Sequence, residues 1–386
     1  MKFLFVVPPL TGHINPTISV ARALEARGHT VAWVGHPRKV RALLPAGAQL
    51  YELPEAVDAD HAMRVQNTAA TARGAAALKF LWEDFLVPLA RSMQPGIEAA
   101  VTAFAPDVMC VDQQAVAGGL VARRRGLPWA TLATTSAGIS DPLAALPQVK
   151  RWFEGMIGEL EAAANLPPQG ELSPYLVLAF TTPALVPKAL PAHYQLVGPA
   201  IADRPESTSF PFAQLTRPAI LVSMGTVNAV ASGRFYGVAC EALADQPYQV
   251  ILVAPPELAL NPPANFIIRS YVPQLALLSR VDAVVCHGGH NTTCEALAHG
   301  LPLVIAPIKD DQPIVADQVV AAGAGLRLKF GRVQAPELRE AVTRVLADPE
   351  LRSGAARVRA SFAAAGGAAR AAQLLETLAI EASACR

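Results

Sequence analysis

Two side chains in the N-terminal half, His13 and Asp112, have the chemistry of a general base. An imidazole held by a carboxylate can take a proton from a hydroxyl group near neutral pH. Gly12, directly before the histidine, leaves room for a substrate. Both residues also have a plain structural interpretation. The histidine could cap or pack a helix, and the aspartate could cap the helix predicted after it, a role that can coexist with catalysis.

The stretch His287–Glu295 has the pattern of an anion-binding turn. The apolar run Ala283–Cys286 predicts a buried strand, and a glycine pair allows a sharp turn at its end. Asn291 or Thr292 is the expected N-cap of a following helix, with Glu295 in its first turn. The N–H groups and dipole of such a helix start favour a phosphate. An ordinary capped turn is the alternative interpretation.

Further turns with polar or aromatic side chains follow other apolar runs of the C-terminal half. The run Ala219–Val222 ends in Ser223-Met224-Gly225-Thr226, whose hydroxyl and N–H groups could donate to a phosphate. The turn Tyr271-Val272-Pro273-Gln274 follows the predicted strand Phe266–Arg269, and Asp311-Gln312 follows a later run. Several donor-lined turns are therefore expected along one sheet edge.

The elements that position these residues are apolar strands alternating with amphipathic helices. Such alternation predicts a parallel sheet covered on both faces, with ligands outside the carboxyl ends of its strands. His13 and Asp112 each follow such an end. The predicted elements of the N-terminal half are the strands Phe3–Val7, Thr30–Val34, Val108–Val111 and Trp129–Ala133 and the helices Thr17–Arg27 and Val116–Arg124.

A length of 386 residues fits two α/β domains. The segment from Gln195 to Pro218 is rich in proline and lacks periodicity, which places the boundary there. We expect an N-terminal Rossmann-like domain over 1–202, a linker over 203–217, a C-terminal Rossmann-like domain over 218–366 and a final helix over 367–386.

Composition excludes several other classes of protein. The formal net charge is +1 with interspersed signs, so no nucleic-acid partner or polybasic membrane patch is expected. No apolar run reaches the roughly 18 residues of a membrane-spanning helix, so stable membrane insertion is not expected. Five cysteines without a CxxC pair are typical of a reducing compartment, which indicates a cytoplasmic protein. Asp58-Ala59-Asp60 resembles a metal-binding DxD motif by chance, and no metal is predicted.

Aromatic residues recur at helical spacing in two alanine-rich regions of the N-terminal half, 58–93 and 141–165. They fit the core of a domain, and they also fit the wall of an apolar substrate pocket. The residues concerned are Phe80, Trp82, Phe85, Trp152 and Phe153.

Together these motifs resemble the family 1 glycosyltransferases, which include plant secondary-metabolite and bacterial macrolide enzymes. The resemblance covers nearly the whole chain and includes Gly12-His13-Ile14-Asn15-Pro16 near the start. It implies the α/β GT-B fold, in which two Rossmann-like doubly wound parallel-sheet domains face each other across a cleft. The first domain then holds mainly the acceptor and the second mainly the donor. The last helix crosses back to the first domain.

The resemblance also implies a role for each motif residue. His13 would be the base and Asp112 its partner. His287 would contact the diphosphate of a nucleotide sugar, Tyr271 would stack on the base, Val272 would present its backbone to the base edge, and Gln274 and Glu295 would reach the ribose. Asp311 and Gln312 would bind sugar hydroxyls. The remaining predicted donor-site residues, around the phosphates, are Ser223, Gly225, Thr226, Gly289, Asn291 and Thr292.

The expected function is inverting transfer of a hexose, with UDP-glucose as the donor, to a hydroxyl of a small hydrophobic, natural-product-like acceptor. No metal and no further cofactor is expected. The alternatives are a dTDP-deoxysugar-dependent transferase and a nucleotide-sugar 2-epimerase. Tyr271 and His290 stand where plant members commonly have tryptophan, and Lys309-Asp310 is unusual, which leaves the base and the sugar open. A nicotinamide dehydrogenase is disfavoured because the first turn lacks GxGxxG. Oligomeric state is not predicted.

Overall fold

The computed structural model describes residues 1–54, 74–201, 210–225, 232–258 and 261–384. Its first part, in chain order, comprises β1 Lys2–Val6, α1 Thr11–Glu25, β2 Thr30–Gly35, α2 Pro37–Val40, β3 Leu50–Glu52, α3 Gly74–Lys79, a π-helix Phe80–Leu86, α4 Val87–Phe104, β4 Val108–Asp112, α5 Val116–Arg124, β5 Trp129–Ala133, α6 Ser136–Ile139, α7 Pro147–Ala163, β6 Leu176–Ala179 and β7 Tyr194–Leu196.

The second part begins after the described residue Phe210. It comprises a 3-10 turn Phe212–Gln214, β8 Ala219–Ser223, α8 Gly233–Leu243, β9 Gln249–Val253, a 3-10 turn Pro256–Leu258, β10 Phe266–Arg269, α9 Gln274–Leu278, β11 Ala283–Cys286, α10 His290–Ala298, β12 Leu303–Ile305, α11 Gln312–Ala321, β13 Gly325–Arg327, α12 Ala335–Ala347, α13 Pro349–Ala365 and α14 Gly367–Ala384.

The first sheet is parallel throughout and has the strand order β3-β2-β1-β4-β5-β6-β7. Most of its strands are apolar runs. Helices cover both faces of a parallel sheet, so the side chains on both faces of each strand are buried. The order reverses between β1 and β4, where Val6 lies opposite Val111. In open α/β sheets a ligand binds at this reversal, outside the carboxyl ends of the strands.

The second sheet repeats the plan with the order β10-β9-β8-β11-β12-β13, again parallel. Its reversal lies between β8 and β11, where Ser223 is paired with Cys286. Both sheets therefore have the Rossmann order around a central pair of strands. The predicted α/β class with two Rossmann-like parallel sheets is confirmed.

The chain divides into two compact units, each with its own hydrophobic core. The first unit comprises Met1–Thr182, Lys188–Ala202 and Ala365–Arg386, and the second comprises Pro183–Pro187 and Asp203–Ala364. Helix α14 thus belongs to the first unit although it ends the chain. Its buried face joins the core formed by β1 and α1, and Glu376 pairs with Arg27 and with His29 Nε2.

Helix α1 begins six residues before the predicted start at Thr17, so that prediction was wrong. The residue before a proline disfavours helical geometry, which made Pro16 resemble a boundary. Burial of Ile14, Ile18 and neighbouring side chains favours the longer helix, which contains the proline. His13 consequently lies in the first turn of a helix rather than in a loop.

The aromatic residues of the first unit pack mainly against its core. Trp82 and Phe153 meet edge to face with ring centroids 4.6 Å apart, and both are partly buried on a core cluster together with Phe85. This arrangement favours the core interpretation. Asp58-Ala59-Asp60 lies outside the described residues. None of the helices in the described part of the chain is long and apolar enough to cross a membrane.

Candidate active site

The first candidate site is the contact between His13 and Asp112. Helix α1 follows β1, and Asp112 is the last residue of the neighbouring strand β4, so the two side chains meet where the strand order reverses. His13 Nδ1 lies 2.9 Å from Asp112 Oδ1 and 3.0 Å from Oδ2. The carboxylate is fully buried, whereas the imidazole is 15% exposed. The geometry suits a base whose orientation is fixed through Nδ1, with Nε2 as the nitrogen that would take a proton.

Asp112 also fulfils the structural role considered for it. Its Oδ1 accepts a hydrogen bond from the backbone N–H of Gln114 at 2.8 Å. Its backbone oxygen accepts one from the backbone N–H of Ala115, the residue before helix α5. The aspartate therefore orders the turn before α5 and contacts His13 at the same time.

Thr134 belongs to this site and was not identified from the sequence. Its hydroxyl donates to Asp112 Oδ2 at 2.7 Å, and its Oγ1 lies 2.8 Å from His13 Nδ1. It directly follows β5, which pairs with β4, so three adjacent strand ends supply one cluster. In the sequence, the feature that could have indicated Thr134 is its hydroxyl group, one residue after the predicted strand Trp129–Ala133.

In the second unit, His287 directly follows β11, and its ring packs closely against two glycines. A Cβ atom on either Gly225 or Gly289 would lie 2.6 Å from its ring. These two glycines therefore provide the space that the ring occupies. Burial lowers the pKa of His287 from 6.5 to about 4, against smaller opposing effects of the Asp311 charge and the Ser223 backbone. The ring is uncharged at neutral pH, and its buried Nδ1 has no hydrogen-bond partner among the described residues.

The Asp311-Gln312 pair lies beside the same turn, at the start of α11. Gly288 has φ +87°, and a Cβ on it would approach the backbone oxygen of Gln312 to 3.2 Å. The Gln312 side chain is buried, and its Oε1 accepts the N–H groups of Ile308 at 2.9 Å and Lys309 at 3.1 Å. The glutamine is therefore held in one orientation. Asp311 is the N-cap residue of α11.

Gln274 and Glu295, which were both predicted to reach a ribose, are in contact with each other. Gln274 Nε2 donates to Glu295 Oε2 at 2.5 Å, and the glutamate is buried. Nearby in the chain, Tyr271 is 60% exposed while Val272 is buried. A tyrosine ring open to solvent can stack on a flat ligand.

Helix α10 begins one residue before the first of its two predicted caps. Its N-cap is Gly289, so the prediction of Asn291 or Thr292 as N-cap was wrong, and Glu295 lies in the second turn. Glycine serves as an N-cap because the position needs extended backbone, here φ −60° and ψ 132°, rather than a side-chain acceptor. Asn291 and Thr292 fall in the first turn, whose N–H groups lack intrahelical acceptors in any helix.

Thr226 lies outside the described residues, so its predicted contact with a phosphate stays a prediction. The other predicted donor-site residues of the second unit are described. His287, Gly225, Gly289, Asp311 and Gln312 lie around one turn. Across the described ranges, no group of three or more histidine, cysteine, aspartate or glutamate side chains has a geometry that could hold a metal ion.

Two Rossmann-like units, each with candidate residues at its reversal of strand order, fit the class of GT-B glycosyltransferases. Comparison with known proteins agrees. Residues 250–378 match the family model of the erythromycin biosynthesis protein CIII-like C-terminal domain. The NDP-glycosyltransferase YjiC of Bacillus licheniformis is 30% identical over 357 residues, which cover 88% of each chain.

Solved structures show the same similarity. The glycosyltransferase of kitacinnamycin has a TM-score of 0.75 at 26% identity, covering 98% of each chain. The glycosyltransferase VinC, solved in complex with dTDP, has a TM-score of 0.75 at 20% identity, covering 99% of this chain and all (100%) of that one, and shows likeness of fold.

The chain belongs to the family 1 glycosyltransferases, which are inverting and metal-independent enzymes with the GT-B fold. It is of the type that acts on natural products. The predicted family, fold class and enzyme class are confirmed. Nothing in these comparisons supports a nucleotide-sugar 2-epimerase.

Proposed function

We propose that this enzyme transfers a hexose from a UDP-sugar, with UDP-glucose as the first choice, to a hydroxyl group of a small hydrophobic natural product. The proposal rests on one observation above all, the contact of His13 Nδ1 with the buried carboxylate of Asp112 at 2.9 Å. A base of this kind is what a transfer to a hydroxyl needs, since an alcohol is a poor nucleophile until its proton is removed.

In the proposed reaction, His13 Nε2 takes the proton of the acceptor hydroxyl. The oxygen attacks the anomeric carbon from the face opposite the diphosphate. One carbon–oxygen bond forms while the bond to the diphosphate breaks, so the configuration at the anomeric carbon inverts. Asp112 keeps the ring oriented through Nδ1 and stabilises the imidazolium that forms, because its negative charge lies within hydrogen-bond distance.

The departing diphosphate would be held by the turn after β11 and the start of α10. Burial lowers the pKa of His287 to about 4 in the unliganded enzyme, so the ring is neutral before the donor binds and would contact the phosphate through a hydrogen bond. Charge stabilisation is assigned instead to the first-turn N–H groups, including those of Asn291 and Thr292, and to the helix dipole. Ser223 and Thr226 would donate from the adjacent strand end. Neither a metal nor a further cofactor is required.

The nucleoside assignment follows from the pair Gln274 and Glu295. The glutamine amide and the buried carboxylate lie together, and a carboxylate can accept from both hydroxyls of a full ribose, which favours UDP over dTDP. Tyr271 would stack on uracil and Val272 would present its backbone to the base edge. The rigidly held Gln312 and its neighbour Asp311 would bind the hydroxyls of a hexose.

A dTDP-deoxysugar is the second candidate donor. The solved VinC structure contains dTDP, which supports a thymidine nucleotide for a chain of the same fold. A transferase of this kind would need the same base and the same diphosphate site, so the two candidates differ only at the ribose and the sugar.

The test is a panel of UDP- and dTDP-sugars crossed with a panel of hydroxylated natural products, with products detected by mass spectrometry. The wild type is compared with His13→Ala and with His193→Ala, a histidine before β7 outside the site. We expect His13→Ala to lose about 100- to 10,000-fold in turnover while UDP binding, measured by calorimetry, is retained.

Near wild-type glycoside formation by His13→Ala would overturn the assignment of the base. Turnover of dTDP-deoxysugars in preference to every UDP-sugar would select the second candidate donor and reject the first. His193→Ala should behave as wild type, which separates loss of the base from loss of any histidine in the first unit.

A further inference from the structure

Thr134 makes hydrogen-bond contacts that have no role in the reaction proposed above. It is buried, and its Oγ1 lies 2.7 Å from Asp112 Oδ2 and 2.8 Å from His13 Nδ1. With His13 Nδ1 at 2.9 Å from Asp112 Oδ1, the three side chains form a closed triangle at the ends of β1, β4 and β5.

The hydrogens of this triangle can be assigned from donor and acceptor chemistry. An ionised carboxylate only accepts, so the short contact between Asp112 and Nδ1 requires the hydrogen to reside on Nδ1. The Thr134 hydroxyl has one hydrogen, which goes to Asp112 Oδ2, and it therefore turns a lone pair toward Nδ1. Both contacts of Nδ1 then favour the same tautomer.

We propose that Thr134 is a positioning residue that fixes the Asp112 carboxylate and holds His13 in the tautomer with hydrogen on Nδ1. Only in this tautomer does Nε2 keep the lone pair that abstracts the acceptor proton. Without the hydroxyl, one oxygen of a fully buried carboxylate loses a donor, and the carboxylate can rotate away from the ring. This inference rests on the proposed role of His13 as the base.

The test compares Thr134→Val, which keeps the shape and removes the hydroxyl, with Thr134→Ser, which keeps the hydroxyl. Thr181→Val is the matched control. Thr181 is also buried, follows strand β6, and its hydroxyl has no hydrogen-bond partner among the described residues. We expect Thr134→Val to lower kcat by about 10-fold or more with an unchanged KM for the donor, because a hydrogen bond to a charged group is lost. The kcat of Thr134→Ser should stay within about 3-fold of the wild-type value. The control Thr181→Val should have the kcat of the wild type.

A second measurement reads the tautomer directly. In protein labelled with 15N-histidine, the His13 signals are those missing from His13→Ala. Wild type and Thr134→Ser should show a protonated Nδ1 and an unprotonated Nε2, whereas Thr134→Val should show a mixture of tautomers. A merely structural threonine would alter stability without changing this spectrum.

The outcomes separate the two proposals. If His13→Ala is inactive but Thr134→Val keeps both the wild-type kcat and the wild-type tautomer, the role of Thr134 is wrong. If His13→Ala is active, the proposed base is wrong, and the tautomer spectrum still decides whether Thr134 positions the ring. Should the valine variant fail to fold, Thr134→Ala against Thr181→Ala makes the same comparison.

Discussion

At the scale of single residues, the two histidines of the candidate sites have opposite electrostatic surroundings. His13 has a buried carboxylate at 2.9 Å, which stabilises the charged ring that forms when it accepts a proton. His287 packs closely against the glycines of neighbouring turns, and burial lowers its pKa to about 4. One ring is therefore suited to proton transfer and the other to a neutral contact with an anion. The sequence alone showed two histidines near glycines and no such difference.

The lowered pKa of His287 predicts a pH-dependent contribution to the stability of the second unit. Between pH 6.5 and about 4 the unfolded chain binds a proton at this residue and the native chain does not, so stability falls as the pH falls through that window. From pH 7 to pH 5 the loss should be about 2 kcal/mol.

His287→Gln removes this contribution and should weaken the pH dependence by that amount. Urea unfolding followed by circular dichroism at both pH values measures it. The transition of the first unit can be recognised by tryptophan fluorescence, since all four tryptophans lie there, at positions 33, 82, 129 and 152. An equal pH dependence in wild type and variant would show that the histidine is protonated as easily in the native state as in the unfolded chain.

At the scale of elements, several strands and the helix Val116–Arg124 were predicted to the residue, whereas two helix starts were not. Ala283–Cys286 and Phe266–Arg269 were predicted to the residue, because a buried parallel strand is an apolar run that stops where polar turn residues begin. Helices α1 and α10 both begin earlier than predicted. At those positions packing and backbone geometry outweighed the local preferences of Pro16 and of the predicted caps Asn291 and Thr292.

Helix α14 provides a test of how an element from the chain end stabilises the first unit. Leu375 is fully buried in the core that includes β1 and α1, whereas Ile380 of the same helix is 57% exposed. We expect Leu375→Ala to lower the free energy of unfolding of the first unit by about 2–5 kcal/mol, and Ile380→Ala to change it by less than about 0.5 kcal/mol.

Urea unfolding followed by tryptophan fluorescence measures both variants, since the tryptophans report the first unit. The second unit has a separate core, so its transition in circular dichroism should not move in either variant. A loss in Leu375→Ala as small as that in Ile380→Ala would show that the helix does not contribute to the core.

At the scale of the whole molecule, two units of the same sheet order supply different parts of the proposed chemistry. The proposed base, His13, lies at the strand-order reversal of the first sheet. The turn after β11, which is proposed to hold the diphosphate, lies at the reversal of the second. We therefore expect the nucleotide to be bound mainly by the second unit.

This division predicts where UDP slows hydrogen exchange. At 100 times its Kd, UDP stabilises the bound state by about 2.7 kcal/mol, which limits the slowing of exchange to about 100-fold. The slowing should occur in peptides spanning 286–295 and 306–315, while peptides containing Asp112 or Thr134 stay unchanged. Exchange slowed chiefly in the first unit would contradict the assignment of the donor site. Uridine, which has the same base and ribose but lacks the diphosphate, is the control nucleoside.

The fold class, the family and most residues of the candidate site could be predicted from the sequence. Strand ends and glycine turns are local features, and parallel strands bring their carboxyl ends to one edge, so His13 and Asp112 could be paired without coordinates. Only the tertiary structure revealed Thr134 as the third member of that cluster, the close packing of His287 and the contact of Gln274 with Glu295. Each of these depends on distances and burial between segments remote in the chain, which periodicity and residue type do not specify.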